Sequence, residues 1–362
     1  MNTNSMRVLH FITTIELGGA EKQLLTLVEK QVESGLHIHV IYIKGKPDLL
    51  FEFEKLGVTV SQCSHMDSLA QIKFLRLYVK NNQISLIHAH LPRAELLSTL
   101  ALVKVPIVIS RHNAEPFFPR APRLLSKALS RLVCLRARAI IAITDAVKLY
   151  LIESGEVKDT KKVTVIRYGI NLEKSDQREN SMAIKKKRLK LLSIGRLVEQ
   201  KDYPTTLNAL ALLSKSGNEF EYNVIGEGIL QSSLSQQSHD LGIAQSISWI
   251  GKTNQVIKFL NESNVFILSS RYEGFGLVLL EAMKQGTPIL ASNCPAIAEV
   301  VGKNYLGLFP VGDPTTLAKL LLSCYDSSFL QDLLEQTNNR IHLFDASVMA
   351  KEMLKVYQNV LC

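Results

Sequence analysis

Short apolar runs alternate with amphipathic helical segments twice over along this chain, and a polar stretch separates the two series. A strand that feeds a helix and then another strand packs most readily as a parallel sheet with helices on both faces. In the first series, residues 8–12, 37–43, 86–89, 107–110, 139–143 and 163–166 read as strands. The second series restarts at 189–194 and continues with 222–225, 247–250, 265–268 and 288–291. Between them, residues 171–189 show no apolar face and hold Lys185-Lys186-Lys187-Arg188, which suits a solvated link between domains better than a binding site. The last periodic segment, 346–360, is expected to return to the first domain. The fold class is therefore α/β: two Rossmann-like doubly wound domains facing a central cleft. The first comprises residues 1–170 with 346–362, and the second 171–345.

Composition narrows the function classes. With 362 residues, 46% hydrophobic and 21% charged, the chain is that of an ordinary two-core globular protein. The five cysteines are scattered and lack metal-ligand spacing, which points to a reducing compartment. The N-terminus runs from polar residues straight into a strand, unlike a signal peptide, and no apolar run reaches the roughly 20 residues that span a bilayer. A cytoplasmic protein is expected, with room for peripheral attachment to the inner face of the membrane.

The net charge of +9 is uneven. Residues 1–170 carry 23 Lys and Arg against 14 Asp and Glu, whereas 171–362 carry 19 of each. From Phe117 to Arg138 there are six cations (Arg120, Arg123, Lys127, Arg131, Arg136, Arg138) and no acid. Leu124, Leu125, Ala128, Leu132 and Leu135 recur there at helical spacing. A basic amphipathic helix fits an anionic membrane surface; a plain surface helix with solvated charges fits equally, and either reading gives the leucines to the core. Nucleic acid is not expected, since no recognition signature accompanies the charge.

The chemistry-bearing residues cluster at strand ends. Glu273-Gly274-Phe275-Gly276-Leu277-Val278 follows an apolar strand and opens a helix that carries Glu281 and closes at Gly286. The glycines permit close backbone approach, and the helix N-terminus offers unpaired N–H groups to an anion. An anion beside two carboxylates suggests phosphate plus hydroxyl groups, as in a nucleotide sugar. Gly18-Gly19-Ala20-Glu21 forms a second strand-to-helix turn, without the spacing of a dinucleotide fingerprint. Gly195 and the cations Arg196 and Lys201 follow another strand, where a planar fork and a point charge can clamp a diphosphate. Gly226-Glu227-Gly228 and Gly251 end two further strands as a rim of ligand-facing turns. His112 ends the strand at 107–110 and can bond a sugar hydroxyl or donate a proton. His88 and His90 read as structural, one inward and one outward. No Asp-x-Asp pair occurs anywhere in the chain, so the positive potential at a diphosphate is expected from cations and helix termini, with no metal or other cofactor.

Taken in order, Gly18-Gly19-Ala20-Glu21, His112, Gly195-Arg196-Leu197 with Lys201-Asp202, Gly226-Glu227-Gly228, Ile250-Gly251 and Glu273-Gly274-Phe275-Gly276 with Glu281 resemble the family 4 retaining glycosyltransferases. The resemblance covers nearly the whole length. It implies a GT-B fold, a UDP-sugar as donor substrate and no required metal. It places Arg196 and Lys201 on the diphosphate, with backbone N–H groups at Gly19, Leu277 and Val278. It gives Glu281 the ribose hydroxyls, and turns Glu273 and His112 toward the transferred sugar as the catalytic pair. The acceptor it implies is a glycan or polyprenyl-linked saccharide of cell-surface polysaccharide synthesis. Val165-Ile166-Arg167-Tyr168-Gly169-Ile170-Asn171 departs from the family's usual Asn-Gly-Ile-Asp or Asn-Gly-Val-Asp, at Tyr168 and Asn171. Two other readings share this architecture: a nucleotide-sugar 2-epimerase, and a non-catalytic nucleotide-sugar-binding subunit.

Overall fold

The computed structural model describes residues 6–172 and 188–362; the linker segment through Lys187 lies outside the described residues. The chain divides into two compact units, one running to Asn171 and taking back Phe344–Cys362, the other running from Leu172 to Leu343.

The first unit holds a seven-stranded parallel sheet: β1 (Arg7–Ile12), β2 (His37–Tyr42), β3 (Thr59–Gln62), β4 (Leu86–His90), β5 (Ile107–Arg111), β6 (Ala139–Ala142) and β7 (Val163–Val165), in the order β3-β2-β1-β4-β5-β6-β7. The second holds six: β8 (Arg188–Ile194), β9 (Glu219–Ile225), β10 (Ile247–Gly251), β11 (Val265–Leu268), β12 (Ile289–Ser292) and β13 (Leu308–Phe309), in the order β10-β9-β8-β11-β12-β13. Both orders are doubly wound about their first strand. In each the direction of winding reverses beside that strand, between β1 and β4 and between β8 and β11, where ligand crevices form at strand carboxyl ends. Strands β4, β5, β11 and β12 are buried along their whole length, and apart from His88 and His90 in β4 and the polar ends of β5 and β12 they read as apolar runs. Strands β3 and β13 were not legible as strands. The first is a partly exposed edge strand reading Thr-Val-Ser-Gln, and the second is two residues long.

The Ala346–Leu361 helix packs on the first unit, burying Met349, Met353, Val356 and Tyr357 beside Leu24, Leu27 and Val28 of the Gly19–Glu33 helix. Its Asp345 cap accepts from the Ser347 N–H at 2.7 Å.

The Arg123–Arg136 helix corrects the sequence reading. Its inner face is Ser126, Ser130, Val133 and Cys134. The leucines expected in the core face outward: Leu124 is 85% exposed, Leu135 66%, Leu125 52% and Leu132 44%. The reason is a buried ion cluster beneath the helix. Arg111, at the end of β5, pairs with Glu95 at 2.9 Å and Glu156 at 3.3 Å, bonds Ser130 at 3.0 Å and lies over the Phe117 ring at 4.4 Å. Charged groups so deep require polar neighbours, and the serine side of the helix supplies them. No helix among the described residues is long and apolar enough to cross a membrane.

Candidate active site

In the second unit the loops that leave β8 and β11 meet at the reversal point of the sheet. The first carries Gly195, Arg196 and a short turn, Glu199–Lys201, that ends at Asp202 with φ 46° and ψ 46°. A left-handed aspartate is strained, and surrounding contacts must hold it. Its carboxylate accepts from Thr205 Oγ1 at 2.8 Å and pairs with Arg271 at 3.4 Å. The second loop is stitched to the first along its length. The Arg271 N–H donates to the Gln200 carbonyl at 2.8 Å, and Gln200 Nε2 donates to the Tyr272 carbonyl at 3.0 Å. Ser269 Oγ lies 2.9 and 3.0 Å from the carbonyls of Lys201 and Asp202.

This stitching sets Lys201 Nζ against the carboxylate of Glu273, and Ser270 Oγ donates to the same oxygen at 2.6 Å. Glu273 is 9% exposed and takes both donors on one carboxylate oxygen. Sequence reasoning had put the lysine on a diphosphate and the glutamate on a sugar as separate groups; the structure brings them into direct contact. Arg196 stands exposed, without an ion pair among the described residues. Phe275 is buried and anchors the loop before Gly276, whose φ of 85° lets the chain turn into the Leu277–Lys284 helix. No side chain caps that helix, which leaves the Leu277 and Val278 N–H groups at its positive end. Glu281 lies one turn further on and is partly exposed.

Gly226 and Gly228, expected as part of a ligand-facing rim, are pressed against the β8 loop. A Cβ at Gly226 would lie 2.0 Å from the Gly195 carbonyl oxygen, and one at Gly228 would lie 2.3 Å from that of Leu197. The Gly226 N–H donates to Gly251 at 2.9 Å. The close approach that Gly226 and Gly228 allow is made by the protein's own β8 loop, so those two shape the turn that presents Arg196, whereas the Cβ position of Gly251 has only Glu227 Oε1 near it, at 3.7 Å.

In the first unit Gly18 precedes the Gly19–Glu33 helix, again with no side-chain cap. The Glu21 carboxylate is tucked under this turn, 2.3 Å from where a Gly18 Cβ would stand, and accepts from Thr14 Oγ1 at 2.5 Å. Burial raises its pKa above the usual glutamate range. At the end of β5, His112 Nδ1 contacts the Tyr168 hydroxyl, while its Nε2 is buried with no hydrogen-bond partner among the described residues. Burial, with the Arg111 charge next door, pushes the imidazole pKa down to about 3, so the ring is neutral at working pH.

Behind His112 lies a histidine group that sequence reasoning misplaced. His88 and His90 are both buried, with ring centroids 4.1 Å apart, because residues two apart on a strand share a face. They are not one inward and one outward. His10 joins them from β1, bonding His90 at 3.0 Å and Gln31 at 2.8 Å. His88 bonds the Tyr357 hydroxyl at 2.6 Å and Ser110 Oγ at 2.8 Å. The three rings are close enough to suggest a metal, yet five of their six nitrogens already hold hydrogen-bond partners. Such satisfaction marks a structural network tying the C-terminal helix to the sheet.

Two Rossmann-ordered units define the class, the second with cations, a buried carboxylate and an uncapped helix terminus gathered at its switch point: this is a GT-B glycosyltransferase architecture. The chain belongs to the family 4 glycosyltransferases. Residues 17–174 match the family model described as Glycosyltransferase Family 4, and residues 174–341 match that described as Glycosyl transferases group 1. It is 23% identical over 373 residues to the capsular polysaccharide biosynthesis glycosyltransferase CapH of Staphylococcus aureus, covering 98% of this chain and 99% of that one. It is 23% identical over 359 residues to the UDP-Gal:alpha-D-GlcNAc-diphosphoundecaprenol alpha-1,3-galactosyltransferase of Escherichia coli, covering 93% and 92%. The crystal structure of Anabaena Alr3699/HepE in complex with UDP superposes with a TM-score of 0.81 at 18% identity, covering 98% of this chain and all of that one. The chain is a glycosyltransferase of polysaccharide or cell-surface biosynthesis.

Proposed function

We propose that this glycosyltransferase is retaining and metal-independent, and moves a hexose or N-acetylhexosamine from a UDP-sugar to a glycan or polyprenyl-linked acceptor. The observation that carries the reading is the β8–β11 crevice. There Arg196, the Lys201–Glu273 pair and the bare N-terminus of the Leu277–Lys284 helix converge where a diphosphate and its sugar need opposite charges side by side. The UDP bound in the Anabaena structure and the UDP-galactose in the name of the Escherichia coli relative support the choice of nucleotide.

In this reading Arg196 and the Leu277 and Val278 N–H groups take the charge that develops on the leaving diphosphate. Lys201 spans the diphosphate and Glu273, and Glu281 accepts from the ribose hydroxyls. Glu273 holds negative charge beside the sugar as its anomeric carbon becomes cationic. The acceptor hydroxyl attacks from the face the phosphate leaves, and its proton passes to that phosphate, so the anomeric configuration is kept. The protein positions the partners and stabilises charge. Replacing Arg196→Ala is expected to weaken UDP binding about 10-fold, roughly 1.4 kcal/mol, by calorimetry. Unchanged affinity would reject the diphosphate clamp.

The outward leucine face of the Arg123–Arg136 helix supports peripheral attachment to an anionic membrane at which a polyprenyl-linked acceptor is presented. The exposed leucines are accompanied in this acid-free stretch by the exposed cations Arg120, Arg123 and Arg138, while Lys127, Arg131 and Arg136 are half-buried; apolar residues beside cations are the pattern of an interfacial helix. A Leu124→Glu/Leu135→Glu variant is expected to sediment with phosphatidylglycerol-rich vesicles at least about 10-fold less than wild type, as two buried leucines contribute roughly 1.5–3 kcal/mol each. Equal sedimentation of the two proteins would remove the helix from the membrane.

A further inference from the structure

Tyr168 is a residue that the activity alone does not call for. It lies in the segment after β7, and its hydroxyl contacts Nδ1 of His112. The Tyr168 side chain is buried and His112 is half-buried, with the rings 5.9 Å apart by centroid. The segment that carries Tyr168 is held at both of its following residues. The Gln23 side chain clamps the Gly169 peptide, Nε2 donating to its carbonyl at 2.8 Å and Oε1 accepting from its N–H at 3.0 Å. Ile170 exchanges backbone bonds with Phe344 and Ala346 at 2.8 and 3.1 Å. A side chain at Gly169 is excluded, since its Cβ would stand 2.6 Å from the Ala346 Cα. The phenol is thus fixed from the Gly19–Glu33 helix on one side and the start of the C-terminal helix on the other.

A neutral imidazole has one N–H and one bare nitrogen, and the bond made by one fixes the other. Tyr168 keeps its proton, because burial raises its pKa well above the usual tyrosine range. A phenol O–H is a stronger donor than an imidazole N–H, and an imidazole nitrogen is a better acceptor than a phenol oxygen. The O–H···Nδ1 arrangement is therefore favoured, and it leaves the hydrogen on Nε2. That nitrogen is buried without a hydrogen-bond partner among the described residues, so as an N–H it is a donor awaiting an acceptor. The His90 ring stacks on His112 at 5.6 Å and limits its rotation.

We infer that Tyr168 is a positioning residue for sugar transfer: its hydroxyl holds His112 as the Nε2–H tautomer, so that His112 donates a hydrogen bond to an oxygen of the transferred sugar rather than serving as a base. This rests on the proposed sugar transfer and on the place that the family resemblance gives His112, beside the transferred sugar. The test uses the full-length protein labelled with ¹⁵N-histidine, with His112 assigned by comparison with His112→Gln. Its tautomer is read by long-range ¹H–¹⁵N correlation without substrate. UDP release is then measured from UDP-glucose, UDP-galactose and UDP-N-acetylglucosamine.

The expected result is Nε2–H in wild type and loss of that single tautomer in Tyr168→Phe. With it, kcat should fall about 10-fold while KM for the active donor stays within about twofold. Should Tyr168→Phe fail to fold, the wild-type tautomer and a Tyr168→Asn variant decide the matter. An Nδ1–H tautomer in a wild-type enzyme that turns over overturns the assignment alone, as does a Tyr168→Phe protein with unchanged tautomer and rate. Absence of turnover with all three donors overturns the proposed UDP-sugar reading and the purpose assigned to Tyr168 with it.

Discussion

Glu273→Gln is expected to lower sugar transfer by about 10²- to 10³-fold, the scale seen when one preorganised charge-stabilising group is removed, while UDP binds as tightly as before or more so. The direction of the split follows from the contact with Lys201. In the wild type the lysine charge is shared with a carboxylate that is 9% exposed. The amide keeps the volume and the bond from Ser270 but no longer neutralises the lysine, which is then free to turn fully to the diphosphate. Ground-state binding of the nucleotide should therefore be kept, and charge stabilisation at the sugar lost. The fold should survive, since Lys201 is 15% exposed and can reach water once released. Calorimetry with UDP, thermal unfolding and initial rates on one preparation separate these effects. Transfer within twofold of wild type would take Glu273 out of the chemistry.

Acidification is expected to destabilise the first unit strongly. Burial lowers the pKa of His10 to about 4 and of His112 to about 3, and those of His88 and His90 well below the ordinary 6.5. A group with a depressed pKa binds fewer protons folded than unfolded. Its stabilisation is complete above pH 6.5 and is lost as the pH falls toward the folded value. At pH 5, His10 and His112 each cost roughly 2 kcal/mol relative to pH 7.5, and His88 and His90 act in the same direction. Glu95 opposes them. Burial raises it to about 7, so its contribution is present below 4.5 and lost as pH rises through 7, returning roughly 2 kcal/mol on acidification. Glu21, which burial also raises, acts in the same direction as Glu95; the four histidines outweigh the two glutamates, and a Tm several degrees lower at pH 5 than at pH 7.5 should follow. Wild-type Tm unchanged across that range would mean that the rings are not held neutral. A His10→Gln/His88→Gln variant should lose part of the pH dependence along with part of its stability at pH 7.5.

Much of the fold was legible because buried parallel strands leave an unmistakable mark. Strand β11 is apolar from end to end and β5 and β12 open on apolar runs, so their reading needed little more than run length, while β4 was read through Leu86, Ile87 and Ala89. The edge strands β3 and β13 left no such mark, being half-exposed or two residues long. The helix after Phe117 misled for a definite reason. Its leucine spacing shows that one face is apolar, but spacing does not say which way that face points. The direction was set by Arg111, Glu95 and Glu156, which come from three other elements and claimed the polar face for the interior.

The site divides along the same line. Strand-end glycines, Arg196, Lys201, Glu273 and Glu281 could be named from local patterns, because turns and helix starts are written in a few consecutive residues. The contact of Lys201 with Glu273, the strained Asp202 that sets it and the hold of Tyr168 on His112 bring together residues 56 to 72 positions apart. Such contacts exist only once a parallel sheet has brought its strand ends together. The sequence by itself determined which residue types reach the strand ends and what charges they carry. The tertiary structure decided which of those charges neutralise one another, and which nitrogen of His112 is engaged by Tyr168.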